Sequence, residues 1–472
     1  MNHVTTLDLI IVLCYMLLML GVGVYFVKRV KNHGDFYVAG RSLGPVTLAA
    51  TVCATIIGGS AMMGRGGISY TAGMRSVLIA IPYLLGMFVF SGISGRIEEV
   101  GRIRGISSIP ELIEFRYGKN VKYLIAVLIG YTMMATVASQ VSATATIFKM
   151  IGSGIGITYE MGAIIATCIF IAYTAASGLF GVVYTDVVQF FMLLLFVYIL
   201  LPGMSISQVG GISALIQNTP KELFQFKLDG ELIGMIVTNL VFTMAGAEMW
   251  QRAFAAKSRK VAKEGMFWGT GVYATTILIT LALGLAARQL FPNIVEEFGT
   301  ADAVIPAMVI RILPIGITGL TLAGLLSVMM SSADSYLLIS TQTFVCDIWK
   351  THKPDLDDKH ELRVSRILTV LLALGAMIIA LYIKNAYEAL MFAWTFYAAS
   401  VGLPAVAALY WKKATKPAIV SSILTGFVVS IVWKIIGQPF GLGAAVPGSV
   451  ACGVVLLIVG QCTYKKHPAP MA

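Results

Sequence analysis

A serine-rich break interrupts the apolar sequence at Leu325-Leu326-Ser327-Val328-Met329-Met330-Ser331-Ser332-Ala333-Asp334-Ser335. Hydrocarbon penalises unpartnered polar groups, so four hydroxyls and a carboxylate in such a stretch must face a cavity, an ion or another helix. Val328, Ser331 and Ser332 stand at i, i+3 and i+4, on one helical face. One carbonyl and two hydroxyls offer hard oxygen ligands suited to a small cation such as Na+. A second apolar stretch supplies the complement. Gly58-Gly59-Ser60 and then Gly64-Arg65-Gly66-Gly67 interrupt it, and unwinding around Ala54-Thr55-Ile56-Ile57-Gly58 would expose backbone carbonyls. Neutral oxygens of this kind hold a monovalent ion weakly enough to release it. The simpler account is that the serines bond back to the carbonyl four residues earlier, or let helices pack closely.

Other polar residues at membrane depth have two readings each. Asp186, in Tyr184-Thr185-Asp186-Val187-Val188-Gln189, is an interfacial cap at a helix start or a second cation ligand on an exit path. Asp334 needs a partner, structural or functional. Arg65, in its glycine-rich turn, either holds a carboxylate or phosphate through two parallel hydrogen bonds or snorkels to the interface. Ser139, Gln140 and Ser142 in the fourth apolar segment, Asn239 and Thr243 in the seventh, and Trp394 and Tyr397 in the eleventh are candidate pocket linings, or glue between helices.

These residues must be held by membrane-spanning helices. Hydrophobic residues make up 58% of the 472-residue chain and charged residues 12%, with a mean hydropathy of +0.85. That composition indicates an all-α polytopic membrane protein. Span-length apolar segments fall near 7–27, 43–70, 75–96, 120–149, 157–176, 181–203, 230–250, 264–289, 315–346, 363–383, 386–411, 416–436 and 441–462, which predicts about 13 transmembrane helices. The first lacks a basic leader and a cleavage site, so it is expected to remain as a helix. The second and seventh spans are the interrupted ones, and they lie five apart. This spacing suits two inverted five-helix repeats whose first helices are broken near mid-membrane. The expected organisation is an extra helix and loop (1–42), a first repeat (43–203), an extracellular loop (204–229), a second repeat (230–411) and two further helices with a short tail (412–472).

Charge position sets orientation and excludes other classes. The net charge of +11 sits in alternate short loops, such as Lys28-Arg29-Val30-Lys31, Arg102 to Lys122, Arg252 to Lys263, Lys350 to Arg366 and Lys412-Lys413. The basic clusters share one side of the 13 spans, which places the N-terminus outside and the C-terminus in the cytosol. That is topogenic charge, not a nucleic-acid surface. The six cysteines (Cys14, Cys53, Cys168, Cys346, Cys452, Cys462) have no metal or disulfide spacing. No phosphate-binding loop with its Lys-Ser/Thr and no catalytic nucleophile motif occurs, so ATP-driven transport and enzymatic catalysis are not expected.

At these residues the chain resembles the sodium/solute symporter family, whose members include carriers of proline, galactose and choline. The marks are Gly40-Arg41-Ser42-Leu43-Gly44-Pro45, Tyr184-Thr185-Asp186-Val187-Val188-Gln189, Gln251-Arg252 and Met330-Ser331-Ser332-Ala333-Asp334-Ser335, and the similarity runs over about residues 8–440. The resemblance implies a LeuT-like core of two inverted repeats and Na+-driven alternating access at a plasma or inner membrane. Its sodium site carries over onto the carbonyls of Ala54, Ile57 and Val328 and the hydroxyls of Ser331 and Ser332, with Asp186 assisting. Solute contacts are then expected at Gly58, Gly59, Ser60, Arg65, Gln140, Asn239, Thr243, Trp394 and Tyr397. The proline carriers differ from this chain at Ile56, where they have an aspartate, and at Thr136, Asn239 and Thr243, where they have aromatics. Na+ is the expected coupling ion and a small polar solute the expected partner; the sequence leaves solute, stoichiometry and oligomeric state open. The rival readings are a proton-coupled or uncoupled carrier in which Asp334 or Glu248 titrates, and a sensor or channel.

Overall fold

The computed structural model describes residues 4–27, 33–352 and 357–466. Lys28, Arg29, Lys31 and Lys353 of the basic loops, and the side chain of Ser60, lie outside the described residues. Among the described residues 11 helices are long and apolar enough to cross a membrane, and the bent pair Pro45–Ile57 with Met62–Ala72 makes a twelfth. The fifth expected span yields only a shorter apolar helix, Tyr159–Ala172, so the count of 13 is approximate. The reason lies at its far end. Tyr159–Met192 is one helix kinked at Gly178, whose φ of 55° suits a residue without a Cβ. All six thiols are free.

Burial sorts the spans into a core and a lipid-facing shell. The ninth span, Ile317–Gln342 continued to His352, has an apolar window wholly buried in protein, whereas the first, tenth, twelfth and thirteenth bury only 33% of theirs. Long apolar side chains left exposed on the shell, such as Leu17, Ile367 and Val428, face the hydrocarbon that replaces water there. The central ninth span therefore carries the polar residues that lipid would exclude, and every residue from Leu325 to Ser335 is buried.

Two spans are broken, each at a glycine. The second runs as Pro45–Ile57 and Gly59–Ala72, joined at Gly58 (φ 31°, ψ 128°), and its halves bend by 49°. A Cβ at Gly59 would fall 1.5 Å from Met329 Sδ, so glycine lets the broken span approach the ninth. The seventh runs as Gly230–Ala245 and Ala247–Ala255, hinged at Gly246 (φ −53°, ψ 108°). Each break strands the last carbonyls of one half-helix and the first amides of the next.

A loop segment covers the second half of the second span. It contains Ile294–Phe298, Ala301–Ala303 and Val304–Ile312, and it packs on Gly66 and Gly67. The Asp302 carboxylate ties it to the eleventh span, Ala386–Tyr397, by accepting from the Ala386 amide at 3.0 Å. Burial lifts the Asp302 carboxyl from 3.8 to about 6, although the Ala386 amide opposes the rise. A folded-state value above the unfolded one means that the buried charge removes stability as pH climbs through that interval. Asp302→Asn keeps an oxygen for the Ala386 amide without the charge. It is expected to exceed the wild type in stability by about 2–3 kcal/mol above that interval and to match it in more acidic buffer. Thermal unfolding across a pH series reads this directly.

Candidate functional site

The carbonyl-rich end of the half-helix Pro45–Ile57 meets the serine face of the ninth span. Ser331 Oγ donates to Ala54 O at 3.1 Å and to Val328 O at 3.1 Å, and Ser332 Oγ donates to Thr55 O at 3.4 Å. Ala54 through Ile57 carry the last four carbonyls of the half-helix, which have no amide ahead of them because the chain turns at Gly58. Of the residues anticipated from sequence, Ala54, Val328 and Ser331 are joined directly, Ser332 reaches Thr55 instead, and Ile57 is buried at the end of the same half-helix. Their donor set is carbonyls and hydroxyls with no carboxylate among them. It fits a monovalent hard cation, for which the hydroxyls turn lone pairs inward.

Beside this cluster lies a fully buried charge network. Thr51 Oγ1 donates to Asp186 Oδ2 at 2.5 Å, and Arg252 lies 3.4 Å from the same oxygen. The Arg252 guanidinium also donates to Thr51 Oγ1 at 3.2 Å, to Ser335 Oγ at 2.7 Å, to Glu248 O at 3.2 Å and to Thr55 Oγ1. Asp186 is therefore no interfacial cap. It has no exposed surface, and packing of the sixth span against the second and seventh takes it out of water. One of its oxygens, Oδ1, has no donor. Asp334, in contrast, accepts from Thr174 Oγ1 at 2.6 Å, an interhelical tie. Arg252 stood in the sequence only as part of Gln251-Arg252. Its role as the hub joining both broken spans to the sixth and ninth was not read there.

A cavity of ≈ 30 Å³, room for about one water, opens beside the break of the second span, with the first half of the seventh span among its walls. Its wall includes Ile56, Arg65, Tyr83, Asn239, Tyr273 and Trp394. The Arg65 guanidinium donates to the Tyr273 hydroxyl at 2.8 Å and sits 5.0 Å from the centre of that ring. Trp394 stacks on Phe242 (4.0 Å) and on Tyr83 (5.9 Å), which makes one wall a run of rings. Two buried donors at this wall, Trp394 Nε1 and the Tyr387 hydroxyl, have no acceptor. A buried donor without an acceptor costs about 1–3 kcal/mol, so the wall is built to receive acceptor oxygens. Arg65 is only 4% exposed and lines the cavity, so it does not snorkel to the interface.

The remaining solute candidates separate on geometry. Asn239 and Trp394 reach the wall. Thr243 does not. Its hydroxyl bonds Leu240 O, and a Cβ at Gly86 would sit 1.8 Å from it, so it locks the seventh span onto the third. Tyr397 donates to Ala245 O at 2.6 Å and braces the carbonyl at the break. Gln140 is buried beside Ser139 in the fourth span, away from the cavity's lining residues. Gly58 and Gly59 serve as the turn and the close approach to Met329. Tyr83, Tyr273 and Tyr387 were missed. Their signal was three tyrosines in apolar spans, each needing a partner for its hydroxyl.

Tyr387 and Met391 line both this cavity and a wider recess of ≈ 510 Å³. The Tyr387 ring fits against Gly64, where a Cβ would lie 2.5 Å from a ring carbon. The Tyr387 ring, seated on this glycine, and Met391 are the side chains shared by the two spaces. Gly64→Ala is expected to push the ring aside and open the cavity. A cysteine placed at Ile79, in the cavity wall, should then react several-fold faster with a bulky maleimide added to the purified protein.

A family model described as the sodium:solute symporter family matches residues 36–426. Among the relatives, a high-affinity proline transporter of Bacillus subtilis is 26% identical, over 96% of this chain and 97% of its own length. A sodium/pantothenate symporter of Haemophilus influenzae is 27% identical, over 98% of this chain and 96% of its own. Among solved structures, a substrate-bound, outward-open Na+-coupled sialic acid symporter superposes with a TM-score of 0.82 at 19% identity, covering 99% of each chain. A nucleobase-cation-symport-1 family transporter in a closed conformation gives 0.59 at 14%, covering 93% of this chain and 97% of that one. The two superpositions speak for the fold, that of the LeuT-like transporters. The family model covers most of the chain, through both broken spans and the serine face. The chain belongs to the sodium:solute symporter family, multi-pass membrane proteins that move a small solute with Na+.

Proposed function

We propose that this chain carries a small polar solute bearing an anionic group into the cell across the plasma membrane, with Na+ held by the carbonyls of Ala54, Ile57 and Val328 and the hydroxyls of Ser331 and Ser332. The observation that carries this reading is the reach of both serine hydroxyls to the carbonyls at the end of Pro45–Ile57. Na+ at that junction draws the broken second span and the ninth span together, and so favours the arrangement in which the solute cavity is formed. An ion couples to transport only by binding that state better than the others. The solute lies between the breaks, its anionic group on Arg65, Tyr387 and Trp394 Nε1, its body against the rings of Tyr83 and Trp394. Proline, pantothenate and sialic acid, named in the relatives, are all carboxylates. Na+ leaves past Asp186, whose unpartnered Oδ1 is an available ligand.

The same reading places the N-terminus outside, the C-terminus in the cytosol, and the two repeats at 43–203 and 230–411, with the remaining segments as peripheral helices and loops. Thermal unfolding of the purified protein in Na+ against K+, over amino acids, sugars, carboxylates and quaternary amines, tests it. A ligand at ~100 times its Kd adds roughly 2.7 kcal/mol to the folded state. Na+ is expected to stabilise the protein, and one solute class to stabilise it further only in Na+. Indifference to Na+ would remove the ion site.

A further inference from the structure

The cavity of ≈ 30 Å³ holds about one water, whereas the recess beside it, at ≈ 510 Å³, is large enough for a solute. Two other spaces of that size, ≈ 700 Å³ beside Lys149 and Lys384 and ≈ 480 Å³ beside Lys119 and Lys350, share no lining residue with the cavity. The recess and the cavity run along the same two spans. On the eleventh, Tyr387 and Met391 line both. On the seventh, Asn239 of the cavity wall donates to the carbonyl of Met235 in the recess wall at 2.8 Å. Gly234 and Gly443 give the recess a fixed side, because a Cβ at Gly443 would fall 2.7 Å from Gly234 Cα. Glu231, Glu388 and Lys434 are exposed at its rim, so the recess opens to solvent.

Its lining holds one cation among the described residues, Lys434 in the last turn of the twelfth span, Lys416–Ile435. Neither carboxylate of the rim takes that charge. Glu231 is held by Arg75 at 3.0 Å, and Glu388, in the first turn of the eleventh span, makes no ion pair with Lys434. The Lys434 ammonium instead sits 4.0 Å from the centre of the Phe392 ring. A ring on one side of an ammonium leaves its other protons for an acceptor in the recess. A second donor stands where the two spaces adjoin: the Tyr387 hydroxyl, buried and without an acceptor. Lys434 lines the recess alone, Tyr387 both spaces and Arg65 the cavity alone, so donors follow one another from solvent inwards.

Building on the anionic solute proposed above, we infer that the recess is a second, outer binding site for that solute, in which Lys434 holds the anionic group and Phe392 and Met391 the apolar body. The solute occupies it while the cavity is closed and passes the Tyr387 ring when the cavity opens. Capture there needs no Na+, since none of the residues proposed to hold the ion lines the recess. Glu388 opposes an anion and keeps the site weak, which suits a stop that the solute must leave again.

The test places Met235→Cys, in the recess wall, in the full-length protein in K+. It compares modification by an anionic methanethiosulfonate (sulfonatoethyl) and a cationic one (trimethylammonioethyl), above the background of the parent protein. The anionic reagent is expected to react about tenfold faster. Lys434→Gln should abolish that preference, Lys434→Arg should keep it, and Glu388→Gln should increase it. Benzoate should then slow the modification in K+, and uncharged benzamide should need about tenfold more for the same protection. The inference is overturned if the two reagents react alike, if Lys434→Gln keeps the preference, if benzoate protects no better than benzamide, or if it protects only in Na+. Thermal unfolding of the wild type reports on the inner site separately. Failure of every carboxylate to stabilise it in Na+ counts against the cavity as the solute site and leaves the charge preference of the recess to be read on its own.

Discussion

Arg252→Gln is expected to destabilise the protein by about 3–5 kcal/mol, the cost of leaving a buried partner charge uncompensated. Asp186 has no exposed surface, and its Oδ2 is shared by Thr51 and Arg252. Removing the guanidinium also takes a donor from the hydroxyls of Thr55 and Ser335, which accept from it. Arg252→Lys should recover little. An ammonium cannot span Thr51, Thr55, Ser335, Asp186 and the Glu248 carbonyl at once, whereas the planar fork of arginine does. The double variant Asp186→Asn/Arg252→Gln should regain part of the loss, because it deletes both charges together. Thermal unfolding of the four proteins in Na+ measures this as a double-mutant cycle. A loss under about 1 kcal/mol for Arg252→Gln would mean that water reaches the network, as in an exposed pair.

Ser332→Ala is expected to raise the Na+ concentration for half-maximal stabilisation roughly 10- to 100-fold, since a contact to a charged group is worth about 1.5–3 kcal/mol. Ser331→Ala should behave similarly, because Ser331 reaches Ala54 and Val328 on the same face. Ser327→Ala is the control. Its hydroxyl bonds Tyr15 at 2.6 Å and Ala323 O at 2.8 Å, on the side of the ninth span towards the first. It should lower thermal stability in Na+ and K+ alike while leaving the Na+ midpoint in place. If the serines only pack helices, Ser332→Ala will behave like Ser327→Ala.

The two breaks were legible because their causes are local. Gly58 needs a positive φ, and glycine-interrupted apolar segments five spans apart mark discontinuous helices whatever surrounds them. The face of Val328, Ser331 and Ser332 followed from helical period alone. The solute wall was only partly legible. Asn239 and Thr243 are one turn apart on a single helix and looked equivalent. Packing turned Asn239 to the cavity and pressed Thr243 onto Gly86. For Arg65 the sequence left two readings, an anion holder or an interfacial snorkel, and the Tyr273 hydroxyl and ring, as buried partners, rule out the second.

The sequence by itself determined the class of molecule. Its composition cannot be dissolved in water, hydrocarbon demands backbone bonds closed within each span, and helices follow. It also determined where those helices break and which of them carries oxygen ligands. The tertiary structure decided what each polar group meets. Asp186 finds Arg252, 66 residues away, and the cavity wall is drawn from the second, third, seventh, eighth and eleventh spans. The Glu248 carboxylate accepts no hydrogen bond, because the guanidinium of Arg252 beside it spends its bonds on Thr51, Thr55, Ser335 and Asp186. Partners of this kind depend on the rotation and crossing of spans far apart in the chain. Apolar periodicity does not encode those rotations, because lipid and protein interior are equally apolar surroundings for a helix.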